Sequence, residues 1–351
     1  MTKKKHLNKR EARRLAEKSF NDVLGFIKKY VRVTDDEAIA AALFVMTTHA
    51  IDAFDVVPYL GITSPEPEAG KTQLIDTLGA LVARPYRAEY CTPYEMAEAI
   101  DADGVTVLYD EADATLKGRE KLRGIFNAGY KRGGVYRTRV GGERRALSVF
   151  GPKAFSGIGD LPATIASRCF PISMQRLLAG EEVASFERRD ALLEAAPMKA
   201  LLDNWAEYFV KQRGVEPKDI KRFNSRSREI ARPLLRIAEF CSSAIAARAA
   251  DALYNLRSTS VNHTSPGVEL LGQVRDFFKE QEPYLNMFSR AGVLRTADIA
   301  RRTGLSEKMV ANTLAPYGVR PKQIRFGTQN NRGYDESDFA DAWARYLPED
   351  G

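Results

Sequence analysis

The sequence predicts an α/β protein with a mainly parallel sheet, preceded and followed by helical stretches and closed by a small helix-and-strand unit. Three observations carry that reading. Short apolar runs at 59–63, 105–109 and 154–156 have strand character and alternate with helical periodicity, as in strand–helix–strand units. A loop ending Gly70-Lys71-Thr72 sits directly between the first of these runs and a helical stretch. Residues 181–255 read as helical, and the tract Val261-Asn262-His263-Thr264-Ser265-Pro266-Gly267 reads as a linker to a separate unit.

The elements follow in order. Phe20, Val23, Leu24, Ile27 and Val31 fall at three- and four-residue spacing, one face of a helix. Thr34 and Glu37 form a capping-box pattern that opens a second, alanine-rich helix through Met46. The run 59–63 is a buried strand, 70–82 a helix and 105–109 a second strand. At 351 residues the chain is long enough for two or three cores. The divisions expected are a basic helical region at 1–57, the α/β core at 58–180, a helical lid at 181–260 and a C-terminal domain at 261–351.

Composition narrows the setting. A chain that is 44% hydrophobic and 28% charged is that of a soluble globular protein. No apolar run approaches the roughly 18 residues of a membrane helix. The basic stretch 1–14 is followed by no apolar segment, which excludes a secretory signal. Cys91, Cys169 and Cys241 lie far apart, as do His6, His49 and His263. That spacing argues against a disulfide framework or a zinc site and for a reducing, cytoplasmic setting. Three segments, 1–14, 131–153 and 290–334, carry net charges of +6, +6 and +7 in a chain of only +7, so the remainder is acidic. Concentrated basic segments on an acidic body suit a polyanion partner, although each alone could be an ordinary solvated surface.

The loop Ser64-Pro65-Glu66-Pro67-Glu68-Ala69-Gly70-Lys71-Thr72 has the strand-before, helix-after context that a P-loop needs. Backbone N–H groups and a helix start offer unpaired donors to phosphate. Glu68, Ala69, Gly70, Lys71, Thr72 and Gln73 are the residues expected around the nucleotide, with Lys71 on the β/γ-phosphates and the Thr72 hydroxyl on Mg²⁺. Pro65 stands where the usual pattern has its first glycine, and Glu66 and Glu68 bring negative charge. Some 40 residues on, the second strand runs into Asp110-Glu111-Ala112-Asp113. Asp110 is expected to hold Mg²⁺ through its water shell and Glu111 to polarise the attacking water.

These motifs and several more resemble a phage- and plasmid-borne P-loop ATPase family catalogued as a domain of unknown function. The further stretches are Leu122-Arg123-Gly124-Ile125-Phe126-Asn127-Ala128-Gly129, Arg132-Gly133-Gly134, Gly157-Ile158-Gly159 with Leu161-Pro162, and Arg232-Pro233-Leu234-Leu235. The resemblance runs from about Leu43 to Ala238. The family pattern usually has glycine where this chain has Glu68. The resemblance implies an AAA+-like αβα core, ATP and Mg²⁺ as cofactors, and association with primase modules in replication proteins. It also implies a polar sensor on a strand, for which Ser156 is the match, and an arginine finger, for which Arg168 is the match. A finger acting on a neighbour implies a homo-oligomeric ring, a hexamer; an arginine at a helix end can equally cap carbonyls. Arg226 and Arg232, before the lid helix, are both candidates to reach the γ-phosphate in cis.

Alternation across Gly141-Gly142 reads as a β-hairpin over 135–150. In ring helicases resembling this class such a hairpin enters the pore and grips DNA phosphates. Lys131, Arg132, Arg137, Arg139, Arg144 and Arg145 are its candidates; an exposed hairpin kept soluble by charge is the plainer reading.

Helices at 296–300 and 307–314 around Gly304-Leu305-Ser306 read as a helix-turn-helix. Two short strands at 322–334 and an amphipathic helix at 338–347 complete a winged-helix pattern. Arg301, Arg302, Lys308, Arg320, Lys322, Arg325 and Arg332 are the candidates to face duplex DNA, although many winged helices bind protein. The expectation is an ATP-driven DNA motor; the alternatives are an ATP-dependent helicase loader and a nucleotide-sensing scaffold of phage–host conflict with slow hydrolysis.

Overall fold

The computed structural model describes residues 7–88, 91–212, 217–260, 266–281, 292–326 and 329–347. It divides into two compact units, Met1–Ser260 and Val261–Gly351. Residues 1–6 of the basic N-terminus, residues 261–265 of the linker and residues 327–328 between the two C-terminal strands lie outside the described residues.

The first unit opens with α1 (Lys9–Tyr30), whose Asn8 cap and Glu11 form a capping box. The helix starts several residues before Phe20, with this cap and the buried Ala12 setting its first turn. Its buried face carries Phe20, Val23 and Ile27. In α2 (Asp35–His49) the Thr34–Glu37 capping box forms as expected: Thr34 N donates to Glu37 Oε2 at 2.9 Å and Glu37 N to Thr34 Oγ1 at 3.3 Å. Both helices share one apolar core with the sheet and with the long helices that follow.

Five parallel strands form the sheet: β1 (Tyr59–Ser64), β2 (Pro85–Ala88), β3 (Thr106–Tyr109), β6 (Lys153–Ile158) and β7 (Cys169–Ser173), in the order β2-β3-β6-β1-β7. β1, β3 and β6 are interior strands and almost wholly buried, which is why they read as unbroken apolar runs. Leu60, Ile62, Leu108 and Ala154 face one core; Tyr59, Val107, Tyr109 and Phe155 face the other. The fold class is therefore mixed α/β with a parallel sheet. β2 and β7 are the edges and carry weaker signals: β2 is four residues long, and β7 contains Pro171, which a sheet edge tolerates.

The crossovers are α3 (Lys71–Leu81) after β1 and α4 (Pro93–Asp103) before β3. Short helices α5 (Ala112–Thr115) and α6 (Glu120–Ala128) follow β3. An antiparallel hairpin, β4 (Val135–Val140) with β5 (Glu143–Ser148), then turns at Gly141 and Gly142, both left-handed with φ of 58° and 89°. That pair is the signature of a two-residue hairpin turn. α7 (Ala163–Ala166) leads into β7.

Residues 181–187, expected as helix, are instead the end of an irregular strap at 174–187, and α8 (Arg188–Val210) begins only after it. α9 (Ser225–Cys241) and α10 (Ser243–Ser260) complete the unit.

The second unit contains α11 (Pro266–Gln281), β8 (Val293–Arg295), α12 (Thr296–Thr303), α13 (Glu307–Leu314), β9 (Lys322–Phe326), β10 (Gln329–Asp335) and α14 (Ala340–Tyr346). Its antiparallel sheet has the order β8-β10-β9. Gly304, left-handed at φ 70°, ends α12, and the Ser306 hydroxyl caps α13. Leu271, Val274, Ile299, Val310, Leu314, Tyr334 and Phe339 build a separate core. Among the described residues no helix is long and apolar enough to cross a membrane.

Candidate functional site

All five strands of the main sheet run the same way, so the residues after each strand gather along one edge. Three segments meet there: the loop 65–70 after β1, Asp110 after β3, and the end of β6, which lies between them. Gly70, left-handed at φ 83°, turns the chain into α3, and no side chain caps this helix start among the described residues. Lys71 folds back across the loop: its Nζ donates to Ser64 Oγ at 2.5 Å and reaches Glu66 O at 3.4 Å. The Thr72 hydroxyl donates to Asp110 Oδ2 at 3.4 Å, across 38 residues of sequence. Asp110 Oδ1 accepts from the Ser156 hydroxyl and, at 3.0 Å, from Glu111 N. Lys71, Thr72, Asp110 and Ser156 are thus brought together.

Glu111 caps α5 in a left-handed conformation, φ 54°, that costs a non-glycine residue energy. It is exposed at the same edge. Behind it Gly157 lies so close to Asp113 that a Cβ would stand 2.8 Å from Oδ1, and Asp113 accepts from Ile158 N at 3.0 Å. Of the other residues expected around the loop, Ala69 is buried and Glu68 is exposed. The Gln73 amide donates to Tyr30 O at 2.6 Å and reaches Ala184 O at 3.4 Å, so it ties α3 to neighbouring chain.

Two arginines at this edge escaped the sequence reading. Arg87, on β2, donates to Asp110 Oδ2 at 3.3 Å and also pairs with Asp76. Arg176, on the strap, donates from Nε and Nη2 to Pro67 O at 3.2 and 3.1 Å. Neither belongs to a local motif; strand order brings them in.

Arg168 and Arg226 stand at the opposite edge, where the strands begin. Arg168 O accepts from Tyr59 N, the first residue of β1, at 2.9 Å. The two guanidinium carbons lie 4.7 and 5.1 Å from the Tyr130 ring centroid. Arg168 caps the Thr164 carbonyl, and Arg226 bonds the Tyr130 hydroxyl and Glu229. The structure does not bring Arg226 to Lys71: the length of β1 separates them, which removes the expected contact in cis. Arg232 is exposed further along α9. Lys131 pairs with Glu229, which raises its pKa through that hydrogen bond. Arg132 donates to Phe54 O and Ile51 O. These two side chains are therefore engaged within the chain.

On the hairpin, Arg139 lies directly opposite Arg144, and Arg137 is two residues along on the same face. None of the three has an acidic partner within ion-pair distance among the described residues, and all are exposed. Like charges facing across a strand pair destabilise it unless an anion intervenes. Arg145 alternates to the other face, which carries the buried Leu147.

In the second unit Arg301 pairs with Asp298 at 2.9 Å, Lys322 with Asp338 at 2.8 Å, and Arg302 with Glu280 while lying 3.6 Å over the Phe277 ring. Lys308, Arg320, Arg325 and Arg332 are exposed.

The model of a family described as a protein of unknown function (DUF3631) matches residues 173–346, from the last residue of β7 through α14. The match overlaps the resemblance that runs from Leu43 to Ala238 at 173–238; it takes in the C-terminal unit and leaves out the loop at 65–70. No curated protein matches the chain.

Proposed function

We propose that this chain is a P-loop ATPase that applies ATP hydrolysis to DNA, as a helicase- or translocase-like motor of phage or plasmid replication working in a homo-oligomeric ring. The observation that carries the reading is the meeting of Thr72 and Asp110 at 3.4 Å beside Lys71 and an uncapped helix start. A hydroxyl and a carboxylate at that separation are the all-oxygen, low-count donor set that Mg²⁺ takes when phosphates supply further ligands. The exposed first turn of α3 supplies N–H donors and positive dipole for the anion. On these grounds the residues fit ATP with Mg²⁺, the ion making phosphorus more electrophilic when bound. Lys71 would exchange its Ser64 and Glu66 partners for phosphate oxygens. Asp110 would turn toward the ion while Ser156 and Arg87 hold its carboxylate in place. Glu111 would orient water and accept its proton.

Arg168 would act from a neighbouring subunit, with Tyr130 holding its guanidinium. The Arg137–Arg139–Arg144 face would grip a DNA backbone by displacing counterions, without reading sequence. The second unit, of winged-helix pattern, would contact duplex DNA or a primase-type replication partner.

The loop itself favours one competing reading. Pro65 and Pro67 remove two backbone donors, and Glu66 and Glu68 are exposed acids. Such a loop suits a slow ATP-dependent switch, as in a helicase loader or a nucleotide-sensing scaffold. Turnover by the purified chain with and without single-stranded DNA separates the readings. The motor predicts DNA-stimulated hydrolysis that Lys71→Ala abolishes. ATP binding with negligible turnover supports the switch, and equal rates in the two proteins refute the site.

A further inference from the structure

We infer that Arg176 is a positioning residue of the nucleotide site: it holds the loop 65–70 in its anion-accepting conformation and offsets the charge of Glu68. The inference rests on the proposed phosphate loop and adds to it a device that makes a glycine-poor loop workable.

The loop has two handicaps that its sequence creates. Glu68 adopts a left-handed conformation, φ 61°, where glycine would sit without cost. It also presents a carboxylate where a polyanion is to bind. Both handicaps fall on the peptide unit that Arg176 touches. Its Nε and Nη2 converge on Pro67 O at 3.2 and 3.1 Å, and Nη2 lies 3.8 Å from Glu68 Oε2. A planar guanidinium can aim two nitrogens at one carbonyl and still face a carboxylate, whereas an ammonium brings only a single nitrogen to both.

The strap 174–187 is built to deliver this side chain. Met174 N donates to Thr63 O at 2.7 Å, fixing the strap's start to β1. The Met174 methyl also approaches Gly70, 3.4 Å from where a Cβ would stand. The far end is fixed by Ala184 N, which donates to Lys29 O at 2.9 Å. Between them Glu181 accepts from Leu178 N at 3.0 Å and pairs with Arg32 at 3.4 Å. Gln73, in the first turn of α3, bonds Tyr30 O and Ala184 O, so the strap, α1 and the loop's own helix are tied together. Arg176 is therefore held against the loop from a fixed base.

The test is equilibrium binding of a fluorescent Mg·ATP analogue to the full chain, with melting temperature as the control for folding. Arg176→Ala should weaken binding roughly tenfold, as expected for loss of charge-assisted hydrogen bonds. Arg176→Lys should fall between, keeping the charge and losing the two-donor hold. Glu68→Gly removes both handicaps, so in that background Arg176→Ala should change affinity by less than about threefold, the coupling expected of residues in contact. A merely structural role would give the same loss in both backgrounds, and that result overturns the inference. So does affinity of Arg176→Ala within about twofold of the unsubstituted chain while Lys71→Ala abolishes binding; the phosphate-loop reading then survives alone. No binding by the unsubstituted chain overturns both.

Discussion

Lys153 is a basic residue that does no surface work. It belongs to the basic segment 131–153, yet its side chain is fully buried at the start of β6. Its Nζ donates to Val149 O at 3.0 Å and Gly151 O at 2.8 Å and lies 5.1 Å from the Tyr59 ring centroid. Burial lowers its pKa from 10.5 to about 7. Between those values the unfolded chain holds a proton that the folded chain has lost, so raising the pH through that window favours the folded state. One proton corresponds to about 1.4 kcal/mol per pH unit. Lys153→Met removes the group, so the stability of the unsubstituted chain should rise relative to this variant from pH 7 to 10. Chemical unfolding of both proteins across that range checks it; parallel pH profiles would show that Lys153 does not titrate there. No one-dimensional pattern separates this lysine from Lys131 or Arg137, because burial depends on which strands neighbour β6.

At the scale of elements, the hairpin β4–β5 is where sequence and structure agree most closely. Alternation and a Gly-Gly pair are local signals, and the turn needs φ above zero at both glycines. What register adds is the division of its arginines: Arg137, Arg139 and Arg144 share one face and Arg145 points to the other. Replacing the three by alanine should lower DNA affinity tenfold or more at low salt and flatten its salt dependence by about three phosphate contacts. Arg145→Ala and Lys131→Ala should have little effect. Filter binding or anisotropy across a salt series decides; equal losses from every arginine would mean a diffuse surface. By contrast β2 and β7 were not legible, since a four-residue edge strand and an edge strand interrupted by Pro171 carry little apolar alternation. The end of the strap, 181–187, reads as helix because nothing local shows that its polar groups are satisfied by Lys29 and Arg32 from α1 and the residues after it.

For the whole molecule, the site is an outcome of strand order. Lys71, Thr72, Asp110 and Glu111 were legible because each lies in a short run after an apolar strand. Ser156 was singled out by its place on a strand, and the structure adds its partner: β6 separates β1 from β3 and carries the hydroxyl to Asp110. Arg87 and Arg176 are invisible in the sequence because one lies on the edge strand β2 and the other on the strap that follows the edge strand β7, and they reach the site only once the sheet is assembled. The sequence offers Arg226 and Arg232 as alternatives for a contact in cis, and the parallel sheet puts Arg226 at the far edge with Tyr130. The proposed site requires the loop 65–70 and Asp110 together to hold a Mg²⁺-bound triphosphate. Its most direct test is calorimetric titration of the full chain with ATP, with and without Mg²⁺, beside Lys71→Ala and Asp110→Asn. The account predicts saturable binding that tightens with Mg²⁺, is lost in Lys71→Ala and loses its Mg²⁺ dependence in Asp110→Asn. Absence of binding, or binding that neither substitution alters, would contradict it.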